Sequence, residues 1–197
     1  MVYLGMETIH PPEFYRQYPM NFPWFKAKGR GKLVVGLGVN DAPYVVRPRI
    51  KGKTFRCPAH ERWTSMLRRV YSEKSLSRFP SYEEVEVCEE WIKSFMAFRT
   101  WFFSSLKKTT LTTENVHIDK DILTDSKFYG PDTCILVPAR LNTMLNTIPN
   151  IPSDKYIQDK ISEIRGMSVP YWLDGDIIKQ RLETLFNRKI EKARGQQ

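Results

Sequence analysis

The stretch from Val116 to Asn146, V-H-I-D-K-D-I-L-T-D-S-K-F-Y-G-P-D-T-C-I-L-V-P-A-R-L-N-T-M-L-N, constrains this chain more than any other. It predicts a strand from Val116 to Leu123, a polar turn from Thr124 to Pro131 and a second apolar run from Cys134 to Val137. A helix then starts at Pro138, whose missing N–H has no partner to lose in a first turn. Alternation puts His117, Asp119 and Asp121 on one face of the first strand, and Val116, Ile118 and Ile122 on the other, interrupted by Lys120. On the helix, Leu141, Met144, Leu145 and Ile148 recur at core spacing, while Asn142 and Asn146 share a neighbouring face. A helix folded back across the two strands brings an imidazole, two carboxylates and an amide oxygen around one cation. Hard oxygen ligands of this kind suit Mg²⁺ or Mn²⁺. The bland alternative is a strand whose acids are solvated and whose histidine lies at the surface.

The strand-strand-helix segment resembles the ββα-metal unit of HNH endonucleases. From about Val34 to Asn146 the chain looks like a group of phage-encoded, homing-endonuclease-like HNH proteins. The resemblance is carried by Gly38-Val39-Asn40-Asp41-Ala42, Tyr44 to Pro48, Cys57-Pro58, Trp63 to Lys74, Val87 to Trp91, Asp119 to Leu123, and Tyr129 to Cys134. It implies that His117 activates water, that Asp119 and Asp121 hold the metal or orient His117, and that Asn142 completes the site. Two departures stand out. The position before His117, where the family places a metal ligand, is Val116, and the interval from His117 to Asn142 is longer than in a compact HNH unit.

Charge points the same way. The chain carries a net +9, and between Lys26 and Lys108 there are 18 Lys or Arg against 8 Asp or Glu. Ten of those bases fall between Arg47 and Arg78, against Glu61 and Glu73 alone. A concentrated basic surface gains by releasing counterions from a polyanion, so nucleic acid is the expected partner, and the resemblance implies double-stranded DNA. Arg47, Arg49, Lys51 and Lys53 alternate along one segment, as a row of cations on a strand would, and such a row can track a phosphate backbone. Arg62, Arg68 and Arg69 surround the apolar stripe of the next helix and read equally as phosphate contacts or as a solvated face.

Taken in order, residues 1 to 31 form an arm rich in Pro and aromatics. Leu33 to Val39 and Tyr44 to Ile50 flank the turn-prone Asn40-Asp41-Ala42-Pro43 and predict a hairpin. The G-L-G piece within it lacks the third glycine and following helix of a phosphate loop. A helix from Pro58 to about Tyr71 carries Trp63, Met66, Leu67, Val70 and Tyr71. Ser72 to Pro80 is a polar connection, and a second helix carries Trp91, Phe95, Phe98 and Phe102. Cys57, Cys88 and Cys134 form no C-x-x-C pair; a Cys57-His60-Cys88 site is conceivable, but buried thiols in a reducing compartment fit better. After a Pro-punctuated linker, Ser153 and Asp154 cap a helix with Tyr156, Ile157, Ile161 and Ile164. A last helix begins near Gly175 with Ile178, Leu182, Leu185 and Phe186.

The expectation is an α+β protein in four parts. These are the arm (1 to 31), a basic hairpin with two amphipathic helices (32 to 110), an HNH-like ββα unit (111 to 150) and a helical C-terminal region (151 to 197). No apolar run is long enough to span a bilayer and the N-terminus lacks a leader pattern, so the chain is expected inside the cell, without a membrane partner. The resemblance adds a phage setting, the cytoplasm of an infected bacterial host, and the activity of a metal-dependent DNA endonuclease. The rivals are a DNA-binding relative whose nuclease site has decayed, and a protein that grips a host or phage protein.

Overall fold

The computed structural model describes residues 33–50, 52–54, 56–109, 111–123, 126–139, 143, 152–166 and 175–195. The aromatic arm, Lys51, Asn142 and the helical stripe at Leu141, Met144, Leu145 and Ile148 lie outside them. The fold is mixed helix and strand, as expected. In chain order it runs β1 (Arg49–Ile50), β2 (Lys53–Thr54), α1 (Pro58–Tyr71), α2 (Glu73–Arg78), β3 (Glu86–Val87), α3 (Glu89–Lys93) and α4 (Phe95–Lys107). There follow β4 (Val116–Asp119), β5 (Phe128–Tyr129), β6 (Ile135–Pro138), α5 (Asp154–Gly166) and α6 (Gly175–Gly195).

The amphipathic stripe of α1 builds the first core. Ala59, Trp63, Met66, Leu67 and Val70 are buried on it. They pack against Trp91 of α3 and Phe95, Phe98 and Phe102 of α4. The Trp63 indole N–H donates to the Trp91 carbonyl at 2.7 Å, so the largest side chain of the core brings its polar atom in satisfied. Gly38 is required here: a Cβ at that position would stand 2.4 Å from Leu67 Cδ1 and 3.1 Å from the Trp63 ring.

The second predicted helix is two helices, broken at Ser94. Val39 enters the break, donating to the Ile92 carbonyl (2.8 Å) and accepting from the Phe95 N–H (3.0 Å). Asp41 then accepts from Ser94 Oγ (2.6 Å) and from the Met96 N–H (2.9 Å), and Ser94 caps α4 by accepting from the Ala97 N–H. Asp41 therefore works as a remote helix cap, adding an acceptor to the one that Ser94 supplies to the first turn. This corrects the expected hairpin between Leu33 to Val39 and Tyr44 to Ile50: Val34 and Gly38 form only an isolated bridge around a tight turn. Ser72 to Pro80, expected as a connection, carries α2.

Strands β4 and β6 pair antiparallel, with Val116 opposite Pro138 and Asp119 opposite Ile135. They are not joined by a tight turn. The chain between them leaves to place β5 parallel to β3, with Glu86 opposite Phe128, and then returns. Ile135, Leu136 and Val137 are all buried because the ribbon is covered on both faces. Leu136, with Val116 and Ile118, joins the α1–α4 core. Ile135 and Val137 join Ile122 and the C-terminal helices through Ile164, Ile178, Leu182, Phe186 and Ile190. Beyond Pro138, Ala139 and Thr143 are helical, and Thr143 Oγ1 donates to the Ala139 carbonyl. Among the described residues no helix is long and apolar enough to cross a membrane.

Candidate anion-binding recess

Helix α1 and strand β4 enclose a recess of about 180 Å³ lined by Arg62, Ser65, Met66, Arg69, His117, Ile118 and Tyr129. The helical members share one face because Arg62, Ser65, Met66 and Arg69 recur at three, four and seven residues. Arg62 is fixed by the backbone it meets. Its Nε donates to the Val116 carbonyl at 2.9 Å, and its Nη2 reaches the carbonyls of Glu114 (3.3 Å) and Thr113 (3.5 Å). Among the described residues its Nη1 has no protein acceptor. The Arg69 guanidinium lies 5.6 Å from the centre of the Tyr82 ring. Opposite stands His117, half-buried.

The recess is cationic. Partial burial pushes the His117 imidazole below its ordinary proton affinity, and the Arg62 and Arg69 charges push it further the same way. Burial raises the Tyr129 phenol, the nearby Tyr82 adds to that, and Arg69 opposes it, so Tyr129 is a neutral hydroxyl. No carboxylate lines the recess.

The two acids expected beside His117 are used elsewhere. Asp119 is buried, and its Oδ1 accepts the N–H groups of Asp121 and Ile122, both at 2.9 Å. That side-chain turn ends the strand at Asp119, four residues before the predicted end, and carries Asp121 off the face it was expected to share with His117. Asp121 is exposed and takes the Lys120 ammonium at 2.5 Å. Among the described residues, no three of His, Cys, Asp and Glu come together as a metal centre would need. The donor set here consists of an occupied carboxylate oxygen, a carboxylate already paired to an ammonium, and an imidazole between two guanidiniums. Among the described residues, the two acids do not stand with His117 as a shared ligand set.

This assignment has a direct test. Asp119→Asn keeps an oxygen for the two N–H groups and is expected to leave the fold nearly unchanged. Asp119→Ala orphans both and is expected to cost about 2 kcal/mol in urea unfolding. Equal losses from the two would mean that charge, not the turn, is what Asp119 contributes.

The remaining expected contacts are scattered. Arg47, Arg49 and Arg68 are exposed. The row Arg47, Arg49, Lys51 and Lys53 does not form on one strand. The chain reverses at Gly52, whose φ is +78°, so Arg49 sits opposite Thr54 and Lys53 opposite Ile50 in a two-residue ladder. Ser65 and Tyr129 were not singled out as site residues, although the Arg62, Ser65 and Arg69 spacing already placed three donors on one helix face. The thiols offer no nucleophile: burial raises Cys57 and Cys88 above the ordinary thiol range and pushes Cys134 up to about 12.

Comparison with protein-family models, curated proteins and solved structures finds no match for this chain.

Proposed function

We propose that this chain is a double-stranded-DNA-binding protein that seats a phosphate group between Arg62, Arg69 and His117. The observation that carries the reading is the convergence of two guanidiniums and an imidazole on a recess with no carboxylate in its lining. Arginine forks match phosphate oxygens in geometry as well as charge. The exposed Arg47, Arg49 and Arg68 add cations for the backbone outside the recess. The resemblance to phage HNH proteins supports DNA as the polyanion and the cytoplasm of an infected bacterial host as its setting.

Binding should be strongly salt-dependent. In fluorescence-anisotropy titrations against a duplex at graded salt, Arg49→Gln and Arg68→Gln are each expected to reduce the slope of log K against log[salt] by about 1, uniformly across duplex sequences. No salt-dependent binding to any duplex would remove this reading and leave a protein that grips a host or phage protein.

A second reading, a metal-dependent HNH-like endonuclease, is favoured by one observation: His117 is held neutral near pH 7 and so is able to accept a proton. Supercoiled plasmid incubated with Mg²⁺, Mn²⁺ or chelator separates the two. Metal-dependent cleavage that vanishes in His117→Ala establishes the nuclease, and intact DNA throughout leaves the binding protein.

A further inference from the structure

We infer that the recess between α1 and β4 takes a terminal phosphate monoester, the phosphorylated end of a DNA strand, in preference to a phosphodiester inside a continuous strand. The inference deepens the DNA-binding reading and rests on it.

Charge is the first argument. Arg62 and Arg69 bring two permanent positive charges into a recess whose other polar members, Ser65, His117 and Tyr129, bring no formal negative charge. A phosphodiester carries one negative charge. A monoester carries about −1.5 to −2 at neutral pH and three unesterified oxygens, so it meets both guanidiniums and still has an oxygen for a hydroxyl or imidazole.

Preorganisation is the second. Three backbone carbonyls hold the Arg62 fork in one orientation, which leaves Nη1 as the edge available to a ligand. The ordering of a long side chain is thus already complete before binding.

Shape is the third. A recess of about 180 Å³ holds the volume of roughly six waters. That admits a phosphate with its terminal sugar. Helix α1 lines one side, His117 and Ile118 of β4 a second and Tyr129 a third, with the apolar Met66 and Ile118 among the lining.

The test is anisotropy titration of the full chain with one blunt duplex in three forms, 5′-phosphorylated, 3′-phosphorylated and unphosphorylated, with closed circular plasmid and inorganic phosphate as competitors. At least one phosphorylated form is expected to bind about tenfold more tightly than the unphosphorylated duplex. Inorganic phosphate should abolish that difference, and plasmid should compete no better than unphosphorylated duplex. Arg69→Gln should lose the preference. Ser65→Glu, at an exposed helix position that leaves the core untouched, should lose it as well by putting a carboxylate at the mouth. Equal affinity for all three duplexes, or a preference that survives both variants, overturns the inference while leaving DNA binding intact. Absence of binding to every DNA overturns the DNA-binding reading and this inference with it.

Discussion

Trp63→Ala is expected to lower the unfolding free energy by about 4 kcal/mol, a large fraction of what a folded domain has. The ring is fully buried, with the Phe95 ring 5.3 Å away and His60 at 5.6 Å. Alanine leaves a cavity that α1 and α4 cannot close, because Phe95, Trp91 and Leu67 of the same core are themselves large and fully buried. It also removes the donor that satisfies the Trp91 carbonyl. Trp63→Phe separates the two terms: it keeps most of the volume, and loses about 1–2 kcal/mol, chiefly through the orphaned carbonyl and the smaller ring. Urea denaturation followed by far-ultraviolet circular dichroism reads both. A loss below about 1.5 kcal/mol for the alanine variant would mean that this core relaxes far more than buried Trp sites do.

Phe186→Ala is expected to cost a similar amount, about 3–5 kcal/mol, although the residue lies in the other core. The informative part is how the loss is distributed. Ile135 and Val137 pack on the C-terminal helices while Leu136, between them, packs on the α1–α4 side. One four-residue strand thus belongs to both cores, and neither can open without exposing the back of the other. Thermal unfolding should therefore remain a single transition that moves down together in circular dichroism and in tryptophan fluorescence, to which Trp63, Trp91 and Trp101 of the undamaged core contribute. A fluorescence midpoint that stays in place while the ellipticity midpoint falls would show two independent units.

What could be read from the chain alone follows from range of interaction. The stripes of α1, α5 and α6 are local patterns, and Trp63, Met66, Leu67, Val70, Ile164, Ile178, Leu182 and Phe186 are buried as their spacing predicts. The second apolar run at Cys134 to Val137 is legible as well, and the two covered faces of β6 account for its lack of alternation. The failures are all places where a polar side chain found a partner far away in sequence or ended an element early. Asp41 has the turn chemistry of a hairpin but bonds to Ser94 and Met96, more than fifty residues on. Asp119 sits in a clean alternation, yet its carboxylate captures two following amides and stops the strand. Arg47 to Lys53 reads as a row only if the chain stays extended, and Gly52 turns it back. The candidate site suffered most because its members come from α1, β4 and β5. Nothing in the sequence placed Tyr129 beside Arg62 and Arg69, whereas the shared face of the two arginines was there to be read.

The Arg62 guanidinium is bound to the first carbonyl of β4 and to two carbonyls just before it, and also forms a wall of the recess. If the recess holds phosphate as proposed, substitutions there are purged twice over, once for loosening the start of a buried strand and once for blunting ligand capture, while those at Ser65 act on the ligand alone. Descendants that abandon phosphate recognition should thus change first at Ser65 and retain Arg62 long afterwards. A persisting arginine at this position would then mark ancestry and foldability rather than surviving activity.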